Sequence, residues 1–175
     1  MEYVADPLSR AQLRDFALAW REYIGLTDTL YFPVVPFLEQ AMPRLFAGFH
    51  YEIVPIEDFP PKKHAETDVI NRIIRIREDV YYGALDRSSR CHGRDRMTIM
   101  HEIAHYLLMV EAGIKFNRVI GSVEMPKYRD PEWQADALAG EFLCPHHLIC
   151  DLSVGEIIRA CGVSRKAANF NLLID

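Results

Sequence analysis

The sequence lacks a long apolar run and a recognisable amino-terminal leader. Its apolar stretches fall short of the roughly 18 residues that a membrane-spanning helix needs, which argues against an integral membrane protein. The first residues show no basic segment followed by an apolar core, as a secretory signal requires. We therefore expect a soluble cytoplasmic protein with no membrane partner.

Cysteine is sparse, and positive charge is not in excess. The chain has 4 cysteines in 175 residues and none of them forms a CxxC pair, so we expect reduced thiols rather than a disulfide scaffold. The formal net charge of -5 argues against a protein whose main activity is to hold nucleic acid. This balance describes the whole chain and leaves room for local basic patches.

The sequence also has no internal repeat and no low-complexity segment. A length of 175 residues lies within the usual range of about 100–200 residues for one domain. With 50% hydrophobic and 26% charged residues, the composition is that of a globular protein and excludes a disordered or collagen-like chain. We predict a single domain.

Periodicity predicts a helical amino-terminal part and a strand-rich middle. The pair Asp6-Pro7 is expected to begin a helix that Gly25 ends. Prolines in the next stretch allow only a short helix around residues 36–47. Runs rich in Ile, Val or Tyr predict three strands, at His50–Val54, Val69–Arg77 and Val80–Leu85.

Two stronger helices are predicted further along the chain. Apolar residues recur at helical spacing over residues 94–112, and Gly113 is the expected C-cap. Asp130-Pro131 repeats the helix-start signal, and Pro145 ends the helix that it begins.

The carboxy-terminal tail carries two further start signals. Ser153 and Glu156 form a predicted capping box, and Ser164 is the expected cap of a second short helix. The tail has the length and turn of a helix-turn-helix. We predict an α+β fold in four parts, namely a helical part, a small sheet with a loop, the two long helices and the helical tail, at residues 1–48, 49–93, 94–145 and 146–175.

The first long helix contains the pattern HExxH, formed by His101, Glu102 and His105. Residues four apart lie on one face of a helix, so both imidazoles can converge on one metal ion. Zinc suits neutral imidazole and tetrahedral geometry. Glu102 lies beside such an ion without binding it, where it can take a proton from water that zinc acidifies.

A catalytic zinc site needs a third protein ligand, and Glu132 is the best candidate. It stands 27 residues after His105, at the start of the second long helix. Asp136 follows four residues later on the same face and can accept a hydrogen bond from the outer nitrogen of one histidine. The alternative is a pair of ordinary helix histidines, a solvated Glu132 and a surface salt bridge at Asp136.

The segments RDRMTIMHEIAHYLLM and PEWQADALAGEFLCP together resemble the ImmA/IrrE family of metallopeptidases. The resemblance covers about residues 94–145 and implies a zincin-like domain. It implies that the zinc ligands are His101, His105 and Glu132. It further implies that Glu102 is the catalytic base.

The same resemblance implies a biological setting. Members are cytoplasmic endopeptidases that cut a helix-turn-helix repressor in prophage, mobile-element, defence or DNA-damage settings. We therefore expect a repressor encoded nearby as the substrate, and a tail that belongs to the protease fold. Mild departures from the family pattern stand at Ala104, Leu138 and Cys144.

Cys91 lies in an arginine-rich loop just before the HExxH helix. Neighbouring positive charge stabilises a thiolate, and a thiolate can occupy the open position of a zinc ion. We hypothesise a cysteine switch in which Cys91 holds the enzyme latent until a signal removes it. The alternative is an ordinary loop cysteine.

Two further features allow more than one interpretation. The densest basic stretch comprises Arg87, Arg90, Arg94 and Arg96. Together with basic residues of the tail it could bind single-stranded DNA as a signal, or it could be a solvated face. The strand near Asn71–Arg77 could pair with an extended substrate or simply build the sheet.

The sequence thus predicts a zinc-dependent endopeptidase, with a competing interpretation from another class. In that alternative the chain is a DNA-binding regulator or antitoxin-like protein whose helix-turn-helix does the work and whose metal site is structural or vestigial. The intact Glu102 argues against a structural site, because a structural site needs no general base.

Overall fold

The structure, a computed structural model, describes residues 2–113, 116–119 and 125–172. Within these residues, helices pack against a small three-stranded sheet, and a separate two-stranded sheet joins β1 (Glu2–Ala5) to β5 (Phe116–Val119) in antiparallel fashion. The predicted α+β class is confirmed. No helix in the described residues has the length and apolar character needed to cross a bilayer.

The first helix, α1 (Arg10–Tyr23), begins later than the sequence predicted. Its N-cap is Ser9, whose hydroxyl accepts from the backbone of Gln12 while the Gln12 side chain accepts from the Ser9 backbone. This reciprocal pair satisfies two amide donors at the helix start, which Asp6-Pro7 does not do. The backbone carbonyl of Asp6 instead accepts a hydrogen bond from Gln134 at 2.7 Å.

The proline-rich stretch forms one broken helical segment, close to the range predicted for it. It consists of α2 (Val34–Pro36), a π-helical turn (Phe37–Ala41) and α3 (Met42–Leu45). Pro43 has no amide proton to donate to the ladder. The adjacent amide of Met42 donates to the carbonyl of Phe37, five residues back, so the helix widens where the ladder is interrupted.

The main sheet contains β2 (His50–Val54), β3 (Ala65–Asp68) and β4 (Ile73–Arg77) in the order β2-β4-β3. The strand β2 has the predicted bounds and runs parallel to β4, whereas β3 is antiparallel to β4. The predicted strand at residues 69–77 is shorter, because a turn with Arg72 at a φ of 55° precedes it. The sequence did not indicate β3.

The predicted strand at Val80–Leu85 is wrong, because this segment lies in a helix, α4 (Glu78–Leu85). Glu78 and Asp79 occupy its first turn, where negative charge is favourable. Val80 and Ala84 are buried four residues apart, as one helical face requires. Tertiary packing of that face outweighs the β propensity of the two tyrosines between them.

Two long helices form the centre of the fold. These are α5 (His92–Val110) and α6 (Pro131–Leu143), which pack against each other and bury their shared face almost completely. Asp130 caps α6 as predicted, accepting a hydrogen bond from the Glu132 amide at 3.0 Å. Helix α5 ends at the C-cap Glu111, and Gly113 follows in a left-handed conformation with φ 60°.

The tail contains α7 (His146–Ile149), α8 (Val154–Cys161) and α9 (Arg165–Leu172), and its last three residues, 173–175, lie outside the described residues. The capping box of Ser153 and Glu156 is confirmed. Ser164 accepts from the Ala167 amide at 3.2 Å and so caps α9. Helix α9 packs against α6 and buries Ala168 and Asn171, so the tail is part of the main core.

Candidate metal centre

Helices α5 and α6 bring three potential ligands together. His101 and His105 lie one turn apart on α5, and Glu132 projects from the first turn of α6. The two histidine side chains are 18% and 13% exposed, whereas Glu132 is 72% exposed. The site therefore has a protected floor and a carboxylate at its open side.

The ligand atoms converge on one point. The Nε2 atoms of His101 and His105 are 3.0 Å apart. The Glu132 oxygens lie 3.2 Å from the first nitrogen and 3.4 Å from the second. The described residues contain this single group of three or more side chains close enough to hold a metal ion.

The donor set fits a small tetrahedral cation. Ligands bound to zinc at about 2.0–2.1 Å in tetrahedral geometry are about 3.3 Å from one another, close to the separations found between these atoms. His101 Nδ1 donates to Asp136 Oδ1 at 2.8 Å, which leaves the lone pair on Nε2 facing the cluster. The residues thus have the number, spacing and orientation that a metal ion needs.

The charges around the cluster favour a cation, such as a proton, among its three side chains. Burial alone lowers the pKa of His101. Its hydrogen bonds with Asp136 and Glu132, together with the nearby negative charges, outweigh burial and raise that pKa to about 10. The hydrogen bonds of Glu132 with the two histidines lower the pKa of its carboxyl far below the usual range. The cluster is therefore electrostatically suited to a cation in place of the proton.

Glu102 lies beside this group but outside it. Its carboxylate accepts a hydrogen bond from Thr67 Oγ1 at 2.7 Å, and the same hydroxyl lies 3.0 Å from the Glu102 carbonyl oxygen. Thr67 belongs to β3, so the sheet fixes the position of the carboxylate. The sequence did not indicate Thr67, because its only local signal is a β-branched residue in a short polar run.

The cluster opens into a cleft with a volume of about 650 Å³. One wall is β3 and the other is the face of α5 from Thr98 to Met109, with Glu132 at the side. Lys62, Lys63 and Arg75 also line this cleft. The site is therefore accessible to a chain-like ligand as well as to water.

Residues 87–172 match the sequence model of a peptidase family described as the IrrE N-terminal-like domain. This match agrees with the resemblance of the two motifs to the ImmA/IrrE family. The matched region contains the helices α5 to α9, and so includes the three candidate ligands, Glu102 and Asp136. Thr67 and the rest of the sheet precede it. No curated protein matches the chain significantly.

The structure does not bring Cys91 to the cluster. Cys91 is the N-cap of α5 and precedes His101 by ten residues. Ten helical residues span about 15 Å along the axis, far more than a thiol–metal bond. Cys91 is therefore close to the HExxH motif in sequence but distant from the metal cluster in space.

The fold gives the arginines of the predicted cluster different environments. Arg96 is 2% exposed, and its guanidinium donates to the carbonyls of Phe32 and Gly162 at 2.8 and 3.0 Å. Arg94 is exposed but pairs with Asp95 at 2.7 Å. The expectation of four neighbouring exposed arginines is wrong, because Arg96 is needed to satisfy buried carbonyl groups.

The expectation that the strand at Asn71–Arg77 pairs with a substrate is also wrong. This segment forms β4, which is the central strand and has β2 and β3 as partners on its two sides. Its backbone is already paired by both neighbours. In the described part of the chain β3 is the edge strand beside the cleft.

Proposed function

We propose that the protein is a zinc-dependent endopeptidase. The observation that carries this proposal is the juxtaposition of His101, His105 and Glu132 with a carboxylate, Glu102, that Thr67 holds beside them. The match of residues 87–172 to a peptidase family model supports the reaction class. The competing DNA-binding role has less support, because α9 packs into the core and Arg96 is buried.

Each residue has a distinct role in this proposal. A zinc ion, when bound, supplies a Lewis acid that polarises the peptide carbonyl and acidifies water. His101, His105 and Glu132 hold the ion, and Asp136 orients His101. Glu102 takes the proton of the attacking water and delivers it to the leaving amine, which completes hydrolysis without net proton uptake.

The edge strand β3 suits an extended peptide. Its outer edge borders the cleft, and an added antiparallel strand would pair with its backbone without demanding a particular sequence. Thr67 ties this strand to Glu102 at 2.7 Å. A peptide on β3 would therefore pass the general base at a fixed distance.

The proposed substrate is a helix-turn-helix repressor encoded nearby, whose cleavage would derepress a stress, DNA-damage, prophage or defence operon. This part of the proposal is supported by the resemblance of the motifs to the family. Single-stranded DNA as an activating signal has weaker support, because Arg96 of the cluster expected to bind it is buried. Latency through Cys91 requires movement of the start of α5.

The test is a cleavage assay with the neighbouring repressor and zinc-loaded protein, comparing the natural chain with Glu102→Gln. We expect the variant to bind zinc normally and to lose cleavage, because it keeps the ligands but removes the base. Normal cleavage by Glu102→Gln contradicts the assignment. A gel shift without cleavage by the natural chain would favour the DNA-binding alternative.

A further inference from the structure

A second cavity, about 410 Å³ in volume, lies between α5 and α9 and opens beside the metal cluster. His101 and Thr98 line both this cavity and the cleft, so the two are continuous along the surface of α5. We name it the α5–α9 pocket. It is lined by Arg94, Met97, Thr98, His101, Asp136, Ser164, Lys166, Ala167 and Phe170.

The walls of the α5–α9 pocket are largely apolar. Met97 on α5 faces Ala167 and Phe170 on α9, and charged groups stand mainly at the rim, on Arg94 and Lys166. Pockets of about 300–1,000 Å³ with apolar walls and few polar groups are typical of ligand sites. This pocket can accept an aromatic or branched aliphatic side chain.

The α9 wall is held in place by a buried network. The Arg10 guanidinium lies over the Phe170 ring at 5.2 Å from its centroid. Arg10 also pairs with Glu141 at 2.8 Å and donates to Asn171. Because Phe170 is fixed from behind, the pocket is formed before any ligand binds.

The direction of β3 determines which side of a cut peptide would enter the pocket. Thr67, near the end of β3, contacts Glu102. Ala65, at the start of β3, pairs with Ile76 of β4, which leads directly into α4, where Gly83 lies against Asp95 near the start of α5. The strand β3 therefore runs in the same direction as α5. A peptide antiparallel to β3 runs the opposite way, with its carboxy-terminal side toward the start of α5, where Met97 lies.

We infer that the α5–α9 pocket binds the side chain of the residue immediately after the scissile bond and selects a large apolar one. This inference rests on the proposed peptidase function and adds a substrate class to it. It gives α9 a role in recognition: the tail that resembles a helix-turn-helix in sequence forms a wall of the substrate site.

The test measures binding independently of cleavage. Two small hydroxamates serve as probes, alike in their metal-chelating group and differing only in a benzyl or a methyl group at the position after the chelator. We expect zinc-loaded Glu102→Gln protein to bind the benzyl compound about tenfold more tightly or better, as burial of several extra carbon atoms predicts. Titration calorimetry gives both affinities.

Three variants in the same Glu102→Gln background test the location. Ala167→Phe fills the pocket and should remove the preference for benzyl, while Asn169→Phe, on the exposed face of α9, should keep it. Met97→Ala takes away a wall and should weaken the benzyl compound without affecting the methyl compound. Circular dichroism confirms that each variant is folded.

The outcomes separate this inference from the proposed function. Equal affinities for the two probes, or a benzyl preference that survives both Ala167→Phe and Met97→Ala, overturn the pocket assignment even if the enzyme cleaves its substrate. A preference lost in those two variants and kept in Asn169→Phe supports the pocket even if no repressor is cleaved. A third readout is the residue after each cut in a digested peptide library, which should be large and apolar.

Discussion

Asp136 on α6 accepts a hydrogen bond from His101 on α5 across 2.8 Å. This bond fixes the ring nitrogen that remains free for a metal ion, and it links the two helices that form the site. The contact has two components: a geometric one, the orientation of the ring, and an electrostatic one, the negative charge behind it. Substitution by the isosteric amide separates them.

Replacing Asp136 with Asn should weaken zinc binding by about 10–100-fold, because the amide keeps the shape but loses the negative charge. The measurement is competition for zinc with a chromophoric chelator at fixed pH. Asp151→Asn, at an exposed aspartate outside the site, is the matched control and should bind zinc as the natural chain does. Unchanged affinity in Asp136→Asn would mean that packing alone orients His101.

Removing the hydroxyl of Thr67 tests whether β3 positions the general base. Thr67→Val is nearly isosteric and loses the 2.7 Å hydrogen bond to Glu102, so kcat should fall by about tenfold or more. Thr67→Ser keeps the hydroxyl and should retain most of the activity. Zinc affinity should not change in either variant, since Thr67 contacts no ligand in the described structure, and a loss of zinc from Thr67→Val would contradict this role.

The contrast between Thr67 and the histidines shows what local sequence can predict. His101 and His105 are related by one helical turn, so their convergence follows from periodicity alone. Thr67 reaches Glu102 only because β3 pairs with β4 and packs on α5, which are relationships between distant segments. No local pattern encodes them.

Local composition and closeness in sequence are limited as predictors of structure. Val80–Leu85 has strand-like composition, but its packing against α5 selects a helix. The closeness of Cys91 to the HExxH motif in sequence favours a cysteine switch, whereas the ten helical residues from Cys91 to His101 place the two about 15 Å apart along the helix axis. The structure brings Glu132 next to both histidines, a position that its helix start, Asp130-Pro131, and its ligand chemistry both indicate.

Cys91→Ala should leave basal cleavage and zinc affinity unchanged, since Cys91 caps the far end of α5. The measurements are repressor cleavage in reducing buffer and zinc competition, each compared with the natural chain. Raised basal cleavage in Cys91→Ala would instead support the cysteine switch, and would require the start of α5 to unwind in the latent form.

Removing the metal should lower thermal stability, because a bound ion links α5 to α6 through His101, His105 and Glu132. A ligand that binds only the folded state at 100 times its Kd adds about 2.7 kcal/mol to the free energy of unfolding. We expect a chelator to lower the Tm of the natural chain by several degrees. In Glu132→Gln the same chelator should have a much smaller effect, and equal shifts in both proteins would contradict the assignment of Glu132 as a ligand.

The junction between α5 and the tail depends on a glycine. A Cβ atom at Gly93 would lie 2.4 Å from the backbone nitrogen of Ser164 and 2.4 Å from the carbonyl carbon of Val163, and backbone atoms cannot move aside cheaply. Alanine normally stabilises a helix by about 1 kcal/mol relative to glycine, but this clash should reverse the sign. We expect Gly93→Ala to lower the free energy of unfolding by about 1–3 kcal/mol.

Gly155→Ala is the matched control for Gly93→Ala. Gly155 lies in α8, where a new Cβ atom would come no closer than 3.5 Å to the end of the flexible Arg159 side chain. The same substitution should therefore stabilise the protein by up to about 1 kcal/mol. Urea unfolding of both variants gives the two signs. If both substitutions stabilise, α8 and α9 do not pack closely on the start of α5, and the α5–α9 pocket loses its fixed wall.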